Sequence, residues 1–111
     1  MFYIYILYSH KSDRYYIGHT PEINKRLPQH NNPRENKYTS KYIPWEVKLF
    51  FKVSESRGEA MVVERFIKKQ KSREFIRKLI QENGNQEYFE DFVTNIIKKS
   101  QLVRAIPSPR D

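Results

Sequence analysis

FYIYILYSHKSDRYYIGHT, residues 2–20, is the stretch that decides the fold. Phe2 to Tyr8 is an unbroken run of aromatic and aliphatic side chains, and Tyr15-Tyr16-Ile17-Gly18 resumes that character after the polar Ser9-His10-Lys11-Ser12-Asp13. Such side chains fit a pleated, half-buried backbone, and the polar stretch between them fits a turn, so a β-hairpin is predicted. The opening run is too short to span a bilayer, lacks a basic leader and is followed by His10, Lys11 and Asp13. Neither a signal peptide nor a membrane span fits it.

Beyond the hairpin, Thr20 is placed to cap a helix with Pro21 at its first position, Glu22 in its first turn and Ile23 and Leu27 on one face. Pro28 cannot donate to the carbonyl of Asn24 and its ring crowds that carbonyl, which predicts a kink or an early end. Residues 31–44 are polar and basic without sustained periodicity and read as a long surface loop. Trp45 to Val53 reads as a third strand with Trp45, Val47 and Leu49 on one face before the alternation blurs at Phe50 and Phe51.

Ser56-Arg57-Gly58-Glu59 has the form of a capping box, opening a second helix to about Lys71 whose Ala60, Val63 and Ile67 face a core, with Met61, Val62 and Phe66 widening the stripe. Ser72 caps a third helix carrying Phe75, Ile76, Leu79 and Ile80 to Asn83-Gly84. Residues 1–83 form the expected core. Residues 84–103 are expected to add an amphipathic helix that packs on it, with Tyr88, Phe89, Phe92, Val93, Ile96 and Ile97 repeating in pairs at helical spacing and dimerisation through this helix left open. Residues 104–111 contain two prolines and read as a flexible tail.

A chain of 111 residues with 38% hydrophobic content supports one domain of modest core, and its eight Tyr and seven Phe must supply much of the buried area. Lysine and arginine total 21 against 13 acidic residues, a net charge of +8. That balance favours a polyanion, nucleic acid before others. The absence of cysteine excludes disulfides, thiolate nucleophiles and cysteine-ligated zinc, and is compatible with a reducing cytoplasm.

At Tyr3-Ile4-Tyr5 and Tyr16-Ile17-Gly18 the sequence resembles the GIY-YIG nuclease family. The second motif matches literally, whereas Tyr3 stands where the first often has glycine. Either tripeptide alone could be strand packing; order strengthens the match. Arg26-Leu27-Pro28-Gln29-His30-Asn31 resembles the family's Arg-Leu-x-x-His-Asn stretch, Lys37-Tyr38-Thr39 follows, and Glu59 to Glu64 resembles its glutamate helix. The additional asparagine that some members carry after the glutamate has no counterpart in the third helix before Asn83.

The resemblance, closest to small stand-alone members, implies an α/β fold: a three-stranded antiparallel sheet flanked by helices, here with an extra C-terminal helix. It implies metal-dependent hydrolysis of DNA phosphodiester bonds by Tyr5, Tyr16, Arg26, His30 and Glu64. Glu64 would hold one divalent ion, Mg2+ or Mn2+, whose other positions go to water and phosphate oxygens. Arg26 would clamp the phosphoryl group, Tyr5 would act as general base with His30 receiving its proton, and Tyr16 would orient water or phosphate. The roles of Tyr5 and Tyr16 are exchangeable. Lys37, Tyr38, Lys41 and Lys68, with Lys69, Lys71 and Arg73, are candidate DNA contacts, while His10 and His19 are given no role. The alternative is a non-catalytic nucleic-acid-binding or adaptor module of the same fold.

Overall fold

A computed structural model describes residues 1–34 and 39–105. The hairpin forms as its composition dictates: β1 (Phe2–Ser9) pairs antiparallel with β2 (Arg14–Thr20), placing Tyr5 opposite Gly18 and Leu7 opposite Tyr16. β3 (Trp45–Ser54) pairs antiparallel with the other edge of β1, giving the order β2-β1-β3. This is the α/β architecture that the sequence implies, with three strands, flanking helices and a further C-terminal helix.

Side chains alternate along β1, so its two sides serve different partners. Ile4 and Ile6, with Ile17, Leu49 and Phe51, face one way. Against them pack α2 (Arg57–Lys69) through Val63 and Ile67, α3 (Arg73–Gln81) through Leu79, and α4 (Gln86–Ala105) through Phe89, Val93 and Ile96. The rings of Phe51 and Phe89 stack 4.3 Å apart. Tyr5 and Leu7 face the other way, where Trp45, Tyr16 and the Ile23 and Leu27 side chains of α1 (Ile23–His30) cover them.

The face expected for β3 is corrected here. Ile6 is opposite Leu49 but Leu7 is opposite Val47, so Lys48 is skipped in the register. A bulge of this kind turns the strand over. Trp45 therefore joins the Tyr5 side, whereas Leu49 and Phe51 join the helix-covered side.

Helix ends also differ from expectation in instructive ways. Thr20 ends β2 instead of capping α1; its Oγ1 still accepts from the Glu22 amide at 3.0 Å, and the helix starts at Ile23. At α2, Ser56 caps as expected, accepting from the Glu59 amide. The Glu59 carboxylate, however, accepts from the Ser54 hydroxyl at 2.6 Å, and Ser54 Oγ in turn accepts from the Ser56 amide at 3.1 Å. The box is closed through one intervening serine. Ser72 caps α3 as expected. α4 begins at Gln86, with Asn85 Oδ1 accepting from the Tyr88 amide, and extends to Ala105, past the boundary drawn from sequence.

Pro28 does not break α1. The helix runs through it to His30, and the Asn31 amide bonds to the Leu27 carbonyl at 3.1 Å, so the turn spanning Pro28 closes normally. Pro28 is exposed, and only its own missing donor is lost. The stretch after it is not simply a surface loop: Thr39–Tyr42 forms a 3-10 turn, and Thr39 is fully buried. Among the described residues no helix is long and apolar enough to cross a membrane.

Candidate active site

The intact α1 puts Arg26 and His30, four residues apart, on one face above Tyr5. Arg26 Nε donates to the Tyr5 hydroxyl at 3.1 Å, and His30 Nε2 lies 2.9 Å from the same oxygen. Both Tyr5 and His30 are buried. His30 thus keeps its helical place beside Tyr5 despite Pro28. Tyr16 completes the cluster: its ring centre is 4.6 Å from that of His30 and 6.2 Å from that of Tyr5.

Gly18 is what lets Tyr5 occupy this place. A Cβ there would lie 2.4 Å from the Tyr5 hydroxyl oxygen and 2.6 Å from Cζ, far inside contact distance. The glycine of the second motif is therefore a seat for the tyrosine of the first. Asn31, directly after His30, fixes the end of α1 to β3. Its side chain donates to the Trp45 carbonyl at 3.0 Å and accepts from the Trp45 amide at 2.6 Å, imitating a strand neighbour.

Burial opposes ionisation in this cluster. Loss of water pushes the Tyr5 phenol up to about 12, against the pull of the Arg26 hydrogen bond and charge and with the help of Tyr16 and the negative charge of Glu64. Burial, then the Arg26 charge, pushes His30 down to about 4. At neutral pH the site thus holds a neutral phenol and a neutral imidazole beside a guanidinium.

Glu64 sits on α2 and is held by other partners. Its Oε1 lies 2.7 Å from His19 Nδ1 and its Oε2 2.9 Å from Lys68 Nζ, with its side chain 19% exposed. Because a carboxylate only accepts, His19 Nδ1 carries the proton of that bond. Arg57 Nη1 approaches His19 Nε2 at 3.3 Å, so a chain of donors runs from Arg57 through His19 to Glu64. Tyr5 feels the Glu64 charge, which places the carboxylate in electrostatic reach of the phenol.

The expected five residues therefore fall into two groups. Tyr5, Arg26 and His30 share direct bonds, with Tyr16 packed on them; Glu64 approaches from the helix-covered side by way of His19 at the β2 edge. A cleft of about 470 Å³ opens beside Arg26 and His19, lined also by Glu22, Lys25, Gln29 and Arg57. Arg26 Nη1 donates to Gln29 Oε1 at 3.0 Å on its wall.

His19 and Arg57 were not assigned from sequence, although His19 directly follows the second motif and so could have been suspected. Thr39 was quoted only as motif context. Among candidate DNA contacts, Lys68 is engaged by Glu64, Arg73 donates to Asp13 Oδ1 at 2.6 Å, and Lys41 is exposed. Lys37 and Tyr38 lie outside the described residues. Among the described residues no three His, Asp or Glu side chains gather as a ligand set. Among the expected site residues Glu64 is the one carboxylate, and a single hard oxygen donor fits a cation that keeps most of its waters.

A family model described as the GIY-YIG catalytic domain matches residues 1–79. Similar curated proteins include a UPF0213 protein of Streptococcus pyogenes serotype M5 (strain Manfredo) and another of serotype M1, each 38% identical over 58 residues. The aligned part is 52% of this chain and spans 62% of each relative's length. No solved structure matches the chain.

Proposed function

This chain belongs to the GIY-YIG catalytic-domain family, a family of nucleases, and on that premise we propose that it is a divalent-metal-dependent endonuclease of DNA. The observation that carries this reading is the convergence of Arg26 Nε and His30 Nε2 on the hydroxyl of Tyr5, a buried phenol whose partner Arg26 lines a cleft rich in basic side chains. A structural tyrosine needs one partner; this one has a cation on one side and a neutral base on the other.

In this reading Tyr5 takes the proton of the attacking water while passing its own to His30 Nε2. With the phenol held up to about 12, a standing phenolate is scarce at neutral pH, so the two transfers must be coupled. Arg26 stabilises the negative charge that builds on the Tyr5 oxygen during these coupled transfers and presents its remaining donors to the phosphoryl oxygens. Tyr16, half-buried beside His30, orients water or phosphate. Glu64 would hold one Mg2+ or Mn2+, which would supply positive charge to the phosphate. Lys68 sits on a flexible stem, is about half exposed and can yield its place on Glu64.

A non-catalytic nucleic-acid-binding module is the second reading, favoured by one observation: both Glu64 oxygens are already engaged, by His19 and Lys68. Incubating the protein with Mg2+ or Mn2+ and duplex, branched and single-stranded DNA separates the two. Metal-dependent cleavage that disappears in Glu64→Ala supports the nuclease. Salt-sensitive binding with no cleavage of any substrate supports the binding module.

A further inference from the structure

Thr39 is fully buried against His30, and its hydroxyl lies between two atoms of that one residue. Thr39 Oγ1 is 3.2 Å from His30 Nδ1 and 3.3 Å from the His30 carbonyl oxygen. A carbonyl can only accept, so the single hydroxyl hydrogen of Thr39 goes there. Oγ1 is then left to accept, and Nδ1 must carry a hydrogen. A neutral imidazole has only one N–H, so Nε2 is bare and its lone pair faces the Tyr5 hydroxyl at 2.9 Å. The Tyr5 oxygen meanwhile accepts from Arg26 Nε, which leaves its own hydrogen free to point at His30.

We propose that Thr39 is a positioning residue that fixes His30 in the Nδ1–H tautomer, making Nε2 the acceptor of the Tyr5 proton. The inference rests on the nuclease reading for its purpose, though not for its test. During the reaction the Tyr5 O–H bond breaks and an Nε2–H bond forms, giving an imidazolium whose Nδ1–H remains on Thr39. The opposite tautomer would aim an N–H at the phenol oxygen and have no place for its proton. Thr39 is itself held from β3, because Trp45 Nε1 donates to the Thr39 carbonyl at 2.8 Å while the Trp45 backbone grips Asn31. The hydroxyl thus has little freedom to turn away from His30.

The test is the two-bond nitrogen–proton NMR spectrum of the histidine rings at pH 7, with His30 assigned by its loss in His30→Gln. The wild-type chain should show protonated Nδ1 and bare Nε2. Thr39→Val should shift the ring toward Nε2–H, and Thr39→Ser should hold it at Nδ1–H; if the valine variant fails to fold, Thr39→Ala carries the same comparison. An Nε2–H ring in the wild type, or an unchanged Nδ1–H ring in the valine or alanine variant, overturns the proposal. If the wild type cleaves DNA, the single-turnover rate should fall roughly tenfold to a hundredfold in Thr39→Val and return to near wild type in Thr39→Ser, with KM little changed. A wild type that cuts no DNA defeats the nuclease reading and leaves the tautomer measurement to decide this one.

Discussion

The two faces of the sheet are built from the same strands and spend their burial differently. On the side of α2, α3 and α4 every buried member of the cluster is apolar, from Ile4 and Ile6 to Phe89 and Ile96. On the side of α1 lie the buried polar residues Ser9, Thr20, His30 and Thr39, together with Tyr5. Burying polar groups is tolerable only where each finds a partner, and none of the described buried side-chain polar atoms is left without one. One face therefore supplies cohesion while the other holds a chain of directed hydrogen bonds. Substitutions of buried residues should separate the two: stability should answer to the first face and rate to the second, with Glu64 on α2 the exception that serves the site from the helix side.

The largest expected effect lies on the apolar face. Phe89 stacks on Phe51 and is 3% exposed, so Phe89→Ala should lower unfolding free energy by about 3–5 kcal/mol in a urea titration. The rate per folded molecule should be unchanged at a denaturant-free temperature where the variant is still native. Arg26→Ala is the counterpart on the polar face. Arg26 is only half-buried, and its loss should leave the melt within about 1 kcal/mol while lowering single-turnover cleavage roughly a hundredfold to a thousandfold. A variant pair in which both quantities move together would show that the faces are not separable.

How much of this division could be read in advance depended on range. The hairpin, the serine caps of α2 and α3 and the helical core stripe are local patterns, set by neighbours within a turn or a strand pair, and they were legible. The bulge at Lys48 was not, because it is a relation between β1 and β3 that leaves only a blurred alternation in β3 itself. Pro28 misled in the other direction: its intrinsic penalty argues for a break, but the closed turn at Leu27 and Asn31 and the Asn31 clamp on Trp45 outweigh it. Tyr5, Arg26 and His30 could be named from motif order, whereas their sharing of one phenol oxygen could not. His19 and Arg57 were missed because their partners, Glu64 and His19, are distant in sequence, and Thr39 because no periodicity links it to His30.

Between pH 7 and pH 4 acid should act chiefly on the polar face, through His30. The folded state holds His30 down to about 4, against an ordinary value of 6.5, so between these values the unfolded chain binds more protons than the native one. The stability this provides is complete above about pH 6.5 and is lost progressively as pH falls toward 4. Its upper limit is about 3 kcal/mol. Unfolding free energy measured from pH 7 to pH 4 should fall for the wild type and for Val93→Ala in parallel, and much less steeply for His30→Gln. An equal slope in His30→Gln would mean that carboxylates carry the acid sensitivity, and that the buried imidazole is not its source.

Gly18→Ala makes the finest cut, since it adds one methyl group at the place where the two motifs touch. Gly18 lies in regular strand backbone, so the substitution is not resisted by conformation. It is resisted by Tyr5, whose oxygen would lie 2.4 Å from the new carbon. A free tyrosine would swing aside at little cost, but this hydroxyl is tied to Arg26 and His30 and its ring is buried, so the methyl must strain the strand or pull the phenol off its partners. Overpacking of this kind costs about 1–3 kcal/mol. If the phenol moves, the stability loss should sit at the low end while cleavage falls by on the order of a hundredfold; if the strand moves, the reverse should hold. An alanine accepted without loss in either measurement would mean that the placement of Tyr5 is looser than its hydrogen bonds indicate, and the polar face would lose its claim to a fixed geometry.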